Sequence, residues 1–236
     1  MKKDQKQFVS AIIVAAGKGT RMNMDINKQY VEVRDIPILA RTLSVFARHR
    51  LVDEIVLVVN EADILYCKQE IVEGYEIKKV KCITAGGKER QQSVFNGLQE
   101  VSKNAGIVLI HDGARPFVTE DCIGASIKVA AEYGAACVAV PVKDTIKAAD
   151  SEQFIESTLE RTKLWSIQTP QTFKYDTILK AHEIARENGF VGTDDAVLAE
   201  NIGVRVKLVM GDYFNIKITT QEDLTLAEAI IDRQKG

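Results

Sequence analysis

The sequence predicts an α/β fold: a three-layer α/β/α arrangement around a mostly parallel, mixed sheet. Three observations carry that prediction. Short apolar runs alternate with longer stretches of helical spacing along most of the chain, as in chained βα units. Residues 55–59 and 107–111 are apolar or nearly so throughout, as strands covered on both faces are. Glycine-containing loops directly follow strand-like runs, at the sheet edge where open α/β folds bind ligands. The class is therefore Rossmann-like. At 236 residues the chain supports one substantial core, and residues 1–236 read as one domain with residues 142–161 inserted as a hairpin arm.

Residues 8–15 read as the first strand. Lys2, Lys3 and Lys6 precede this run, but it is short, β-branched and leads straight into a glycine loop, so a buried strand explains it better than an export signal. Residues 37–49 have helical spacing, with Ile38, Leu39, Leu43 and Phe46 on one stripe. A strand at 55–59, a helix at 62–75 and a strand at 80–84 follow. The next helix, 89–103, faces the core with Val94, Leu98 and Val101. Residues 107–111 form a strand ending at Asp112-Gly113-Ala114-Arg115-Pro116. Thr119 caps a helix reaching Tyr133, and 137–140 is another strand. After Pro141 the alternation breaks. Residues 143–148 and 154–160 read as two strands joined by a polar turn. A lone hairpin is marginal in water, so it either packs on its own domain or exchanges with a symmetry mate. Both readings stay open at this point. Thr169-Pro170-Gln171 reads as a rigid turn. Helices at 176–188 and 194–201, strands at 204–209 and 215–218, and a last helix capped by Thr220 with Asp223 complete the chain.

Composition narrows the function. A net charge of −2 excludes a broad nucleic-acid surface. Four cysteines without Cys-x-x-Cys spacing make neither a zinc site nor a disulfide framework, and they fit a cytoplasmic location. No run approaches the ~18 apolar residues of a spanning helix, so no membrane partner is expected.

The first loop, Ala15-Ala16-Gly17-Lys18-Gly19-Thr20-Arg21-Met22 with Lys28 downstream, describes a polyphosphate cradle. Its glycines let the backbone approach an anion, and Arg21 and Lys28 add positive charge. It is not a Walker A loop, because Ile12 and Gly19 stand where glycine and Ser or Thr are required. It is not a dinucleotide fingerprint, because Met22 replaces the third glycine. The second loop, Gly86-Gly87-Lys88-Glu89-Arg90, opens a helix whose first turn carries Ser93, and it is expected to offer free N–H groups to an anion. In the third loop Asp112 either holds Mg²⁺ or pairs with Arg115, which is suited to gripping a phosphate. His49, His111 and His182 read as structural. Thr145 and Arg161 lie on opposite strands of the hairpin, and Lys217 and Thr219 end a strand at the ligand edge.

Taken in order, these loops, Lys28-Gln29-Tyr30, Asp144-Thr145, Thr169-Pro170-Gln171 and Asn215-Ile216-Lys217-Ile218-Thr219 resemble the 2-C-methyl-D-erythritol 4-phosphate cytidylyltransferases over nearly the whole chain. The resemblance implies transfer of CMP from CTP to a sugar phosphate with a divalent cation, Mg²⁺, and no catalytic His or Cys. It implies that Arg21 and Lys28 stabilise the transition state, and that Arg161 and Lys217 place the attacking phosphate. Ala15, Ala16, Gly17, Lys18, Gly19, Gly87 and Ser93 would bind CTP. Asp112, Arg115, Thr145, Thr169, Thr193 and Thr219 would surround the substrate. It further implies a homodimer in which the arm, with Thr145 and Arg161, serves the neighbour's site. Asn27 stands where proline is usual before the lysine, and Gly113 where alanine is common. A ribitol 5-phosphate cytidylyltransferase shares the loops and is the nearest rival, though residues 159–165 resemble the methylerythritol enzymes more closely. A non-catalytic nucleotide-binding regulator is the alternative from another class.

Overall fold

The computed structural model describes residues 7–17 and 28–235. In chain order the strands are β1 (Phe8–Val14), β2 (Glu32–Val33), β3 (Ile36–Pro37), β4 (Glu54–Val59), β5 (Val80–Ala85), β6 (Ala105–Asp112), β7 (Ala135–Pro141), β8 (Lys147–Ala149), β9 (Ile155–Thr158), β10 (Trp165–Lys174) and β11 (Lys207–Met210). The helices are α1 (Ile38–Arg48), α2 (Ile64–Tyr66), α3 (Arg90–Glu100), α4 (Glu120–Tyr133), α5 (Tyr175–Glu187), α6 (Asp195–Asn201) and α7 (Gln221–Lys235).

Seven strands form one sheet in the order β11-β7-β10-β6-β1-β4-β5. All pairs are parallel except those of β10, which runs antiparallel to both neighbours. The expected mixed, mostly parallel sheet is therefore present. Its strands send alternate residues to opposite faces. Ile13, Leu57 and Leu109 pack against α1 and α4, while Ile12, Val58 and Val108 pack against α3, α5 and α6. A smaller cluster joins α7 to the β2–β3 hairpin through Ile230, Ile231, Val33 and Ile218. Register brings the loops together: Val14 is level with Val58 and Asp112, and Val59 with Ala85. The first three loops therefore leave one edge of the sheet.

Helix ends follow local chemistry. The Thr119 hydroxyl accepts from the Cys122 N–H, and Gly134 ends α4 at φ +93°, a conformation that costs glycine little. Asp223 Oδ2 accepts from the N–H groups of Thr219 and Thr220 and from the Thr219 hydroxyl, the reciprocal half of a capping box.

Three expectations need correction. Residues 62–75 are not one α-helix: a 3₁₀ turn and α2 lead into a π-helical stretch, Cys67–Glu73. Bonds five residues apart, such as Gly74 N–H to Gln69 O and Ile77 N–H to Val72 O, replace bonds four apart, and apolar spacing at this length does not distinguish the two. Thr169-Pro170-Gln171 is not a turn but the middle of β10. Pro170 has no N–H to donate, and it falls where the pairing with β7 shifts register between Ile167 and Gln171; the Thr169–Pro170 peptide is cis. Residues 215–218 are not a strand, because the Asn215 and Ile216 N–H groups make local turn bonds to Asp212 and Phe214.

The arm is a separate two-stranded sheet of β8 and β9. From Lys143 to Lys163 every residue except Ala148 is exposed, so the hairpin is not folded onto its own chain. Among the described residues no helix is long and apolar enough to cross a membrane.

Candidate active site

The first loop begins tightly held. Ala15 donates its N–H to Val58 O at 2.7 Å, and its carbonyl accepts from the buried Gln29 side chain at 2.7 Å. Gln29 belongs to the 3₁₀ turn Lys28–Tyr30, and Tyr30 anchors that turn further through Asp63 at 3.0 Å and Cys67 at 3.2 Å. The backbone that carries Lys28 is thus tied to the end of β1. Ala16 and Gly17 continue the loop outward. Lys18, Gly19 and Arg21, together with the Lys28 side chain, lie outside the described residues.

The second loop lies against the first. A Cβ on Gly86 would overlap the Ala16 methyl and lie 2.8 Å from Ser93 Oγ. The expectation of free N–H groups fails at both glycines. Gly86 donates to Val59 O at 2.7 Å, and Gly87 donates to Ser93 Oγ at 3.0 Å. Ser93 in turn donates to Glu89 O at 3.0 Å. The strand-to-helix turn is tight enough to consume its own donors, and Ser93 shapes the loop.

The third loop gathers charge. Asp112, at the end of β6, faces three cations: Arg90 Nε is 3.2 Å from Oδ1, Lys217 Nζ is 2.7 Å from Oδ2, and Arg115 Nε is 3.7 Å from Oδ2. Burial alone would raise the Asp112 pKa. Arg90, then Lys217 and Arg115, outweigh it and hold the carboxyl below the usual carboxylate range. Arg115 donates through Nη1 to Asn215 O at 2.7 Å. Among the described residues its buried Nε makes no hydrogen bond, and neither does Asn215 Oδ1.

Thr169 and His111 brace Asp112 from behind. The Thr169 hydroxyl accepts from the Asp112 N–H at 3.1 Å and lies 3.0 Å from His111 Nδ1. His111 Nε2 lies 3.1 Å from Arg115 O. A carbonyl only accepts, so Nε2 carries the proton and Nδ1 accepts from Thr169. Burial pushes the His111 pKa down to about 4, which keeps the ring neutral at pH 7.

Arg90, Gln171 and Asp195 carry no role in the sequence motifs, yet all three belong to this network. Arg90 Nη1 is 2.7 Å from Asp195 Oδ2, and Asp195 Oδ1 is 3.2 Å from His182 Nε2. Gln171 Oε1 accepts from the Asp195 and Ala196 N–H groups, each at 3.0 Å. Two signals pointed there: Arg90 sits inside the second loop, and Asp194-Asp195 opens a helix.

The remaining candidates are placed elsewhere. Thr219 is occupied with Asp223. Thr193 is exposed just before the α6 cap. Thr145 and Arg161 are on the exposed arm but not on its strands: Thr145 precedes β8, and Arg161 opens a 3₁₀ turn after β9, where it donates to Lys143 O at 2.9 Å.

The donor set does not fit a resident divalent cation. Both Asp112 oxygens face cationic side chains, and among the described residues no group of three His, Cys, Asp or Glu side chains is placed to hold a metal ion. The cluster of Arg90, Arg115 and Lys217 with Asp112 and Asp195 carries more positive than negative charge, so it suits an anion.

Comparison with known proteins identifies the family. The family model described as 2-C-methyl-D-erythritol 4-phosphate cytidylyltransferase matches residues 9–233. A protein of that name from Clostridioides difficile is 51% identical over 226 residues, covering 96% of this chain and 94% of the relative. One from Geobacter metallireducens is 51% identical over 226 residues, covering 94% and 97%. The crystal structure of 4-diphosphocytidyl-2C-methyl-D-erythritol synthase from Anaerococcus prevotii superposes with a TM-score of 0.85 at 36% identity, covering 96% of this chain and 97% of that one. A fold, a set of strand-end loops and a nearly full-length match therefore converge, and the chain belongs to the 2-C-methyl-D-erythritol 4-phosphate cytidylyltransferase family.

Proposed function

We propose that this chain is a cytidylyltransferase that joins CTP and 2-C-methyl-D-erythritol 4-phosphate, giving 4-diphosphocytidyl-2-C-methyl-D-erythritol and pyrophosphate. A 4-phosphate oxygen of the substrate attacks the α-phosphorus of CTP. A new P–O bond forms there, the bond to the bridging oxygen breaks, and pyrophosphate leaves with that electron pair. The protein need not supply a nucleophile. It must align two polyanions and stabilise charge on the five-coordinate phosphorus. Family membership carries the reading, supported by the cation-rich cluster of Arg90, Arg115 and Lys217 beside the nucleotide-type loop.

In this reading the first loop, Ala15 to Gly19, and Gly87 receive CTP, and Arg21 and Lys28 act on the α-phosphate. Lys217 and Arg115 face the sugar phosphate, and the unused Nε of Arg115 is a donor suited to it. Thr169, Thr219 and Ser93 act through the loops they brace, and Thr193 borders the substrate. Mg²⁺ arrives as Mg-CTP, part of the substrate. The chain works as a homodimer in the cytoplasm, residues 1–236 forming one domain. The arm at 142–161, which exposes Phe154 and Ile155, crosses to the partner so that Thr145 and Arg161 complete the neighbouring site. The test offers methylerythritol phosphate and ribitol 5-phosphate separately with CTP and Mg²⁺ and follows pyrophosphate release. Faster turnover of ribitol 5-phosphate, or CTP binding without turnover of either, defeats the reading.

A further inference from the structure

We propose that Arg90 is a positioning residue for the reaction: it turns the Asp112 carboxylate so that Oδ2 is presented to Lys217. The inference rests on the function proposed above, and it concerns a residue that function does not require to touch substrate.

The geometry is directional. Arg90 is the first residue of α3 and sits in the second loop, whereas Asp112 ends β6 and Asp195 begins α6. Its guanidinium spans the two carboxylates, Nη1 to Asp195 at 2.7 Å and Nε to Asp112 at 3.2 Å. The Asp195 end is the fixed one. The Asp195 and Ala196 N–H groups are held by Gln171 Oε1, and the side-chain Oδ1 faces His182. Gln171 is itself held on Asp194 at 2.8 Å. With that end immobile, the guanidinium plane fixes where Asp112 Oδ1 sits. The rigid carboxylate then directs Oδ2 towards Lys217 at 2.7 Å.

The chemistry requires this residue type. Arginine presents donors in a planar fork that can bridge two acceptors along fixed directions, whereas a lysine ammonium is a point charge. Without the fork, Asp112 Oδ1 has no cation in hydrogen-bonding range among the described residues. The carboxylate is then free to turn towards Arg115 and Lys217 with both oxygens, and the Lys217 ammonium is drawn from its place. A misplacement of about 1 Å at a reacting group costs on the order of a hundredfold in rate.

The experiment compares Arg90→Gln, Arg90→Lys and the double variant Arg90→Gln/Asp195→Asn. The double variant removes the partly buried Arg90 cation together with the buried Asp195 carboxylate. Arg90→Gln is expected to lower kcat on the order of a hundredfold with both substrates saturating, and Arg90→Lys is expected not to restore it. The double variant is expected to regain melting temperature without regaining kcat. Recovery of kcat along with stability, or wild-type kcat in Arg90→Lys, would overturn the proposal. A crystal structure of Arg90→Gln supplies a readout independent of turnover. The Asp112 carboxylate is expected to be rotated and the Lys217 ammonium displaced with it, and a carboxylate and ammonium both retained in their wild-type positions also overturn the proposal. Absence of turnover in the wild-type protein would instead sink the assigned reaction, and the crystal structure would still decide the role of Arg90.

Discussion

Lys217 Nζ lies 2.7 Å from Asp112 Oδ2, yet the Lys217 side chain is 36% exposed and that of Asp112 only 8%. The contact is therefore asymmetric. Asp112 keeps Arg90 and Arg115 as counter-charges when the partly exposed Lys217 is removed, so Lys217→Met should move the denaturation midpoint far less than loss of the carboxylate does. Loss of the lysine should appear in catalysis, as a fall on the order of a hundredfold in kcat/KM for methylerythritol phosphate. Asp112→Asn should do the opposite to the fold. It leaves Arg90 and Arg115 short of their counter-charge, and breaking a buried pair in this way costs about 3–5 kcal/mol. Urea unfolding of both variants checks the contrast, and equal stability losses would contradict it.

Lys28 is carried on a turn that Gln29 ties to Ala15 O at 2.7 Å. Assigned to the α-phosphate, it should matter most when that phosphorus is five-coordinate. Lys28→Ala is expected to lower kcat roughly a hundredfold, about 3 kcal/mol of transition-state stabilisation, and to weaken CTP binding far less. Steady-state kinetics with a separate measurement of CTP affinity distinguishes the two effects; an unchanged kcat removes Lys28 from the chemistry.

Gly86 tests the contact between the first two loops. An added methyl meets the Ala16 methyl and Ser93 Oγ, neither of which is the end of a flexible chain, so the backbone must give way. Gly86→Ala should cost about 1–3 kcal/mol and raise the KM for CTP. Gly106→Ala is the control. The nearest atoms to its Cβ would be those of the flexible Gln7 side chain, at 3.4 Å, at the opposite end of β6, and both quantities should stay near wild type.

The parts of this architecture that were legible in the sequence are those whose residues signal locally. β1, β4 and β6 are runs of buried apolar residues, and α4 announces both its ends with Thr119 and Gly134. β10 was illegible because its centre is polar: Gln168, Thr169, Gln171 and Thr172 are all buried. They are there to bond Asp112, Asp194, Asn215 and Ser126, which erases the apolar signature of a central strand. The site divides the same way. Asp112 and Arg115 are close in sequence and read as a motif, whereas Arg90 and Asp195 meet across 105 positions, and no local pattern pairs them. The fate of the loop N–H groups is hidden from the sequence for a related reason. Two glycines after a strand do not reveal that Val59 O and Ser93 Oγ will claim their donors.

The arm yields a complementation test. Its apolar side chains Phe154 and Ile155 are 67% and 66% exposed, surface that a partner chain would cover. If Arg161 serves the neighbouring site and Lys217 its own, then inactive Arg161→Ala and Lys217→Ala proteins should recover activity when mixed and allowed to exchange subunits. Half of the dimers then carry one intact site out of two, so about a quarter of wild-type activity should return. Absence of recovery despite demonstrated subunit exchange would place Arg161 in its own chain's site. Phe154→Glu should shift the protein towards monomer by sedimentation.

The His111 ring gives the fold a defined acid sensitivity. Its pKa is pushed by burial from 6.5 down to about 4, so between those values the unfolded chain binds a proton that the native state refuses. Stability from this group is complete above about pH 6.5, falls as the pH drops towards 4, and changes no further below it. The total is on the order of 3 kcal/mol. Asp112 is depressed in the carboxylate range, so its loss begins at lower pH. The buried His49 is also shifted down and acts in the same window, which makes the slope in the His111 variant the informative quantity. His111→Asn keeps a group able to bond with Thr169 and cannot be protonated in this range. Unfolding free energies measured from pH 7 to pH 4 should therefore decline less steeply for the variant than for the wild type. Parallel declines would mean that His111 is not the group excluding the proton.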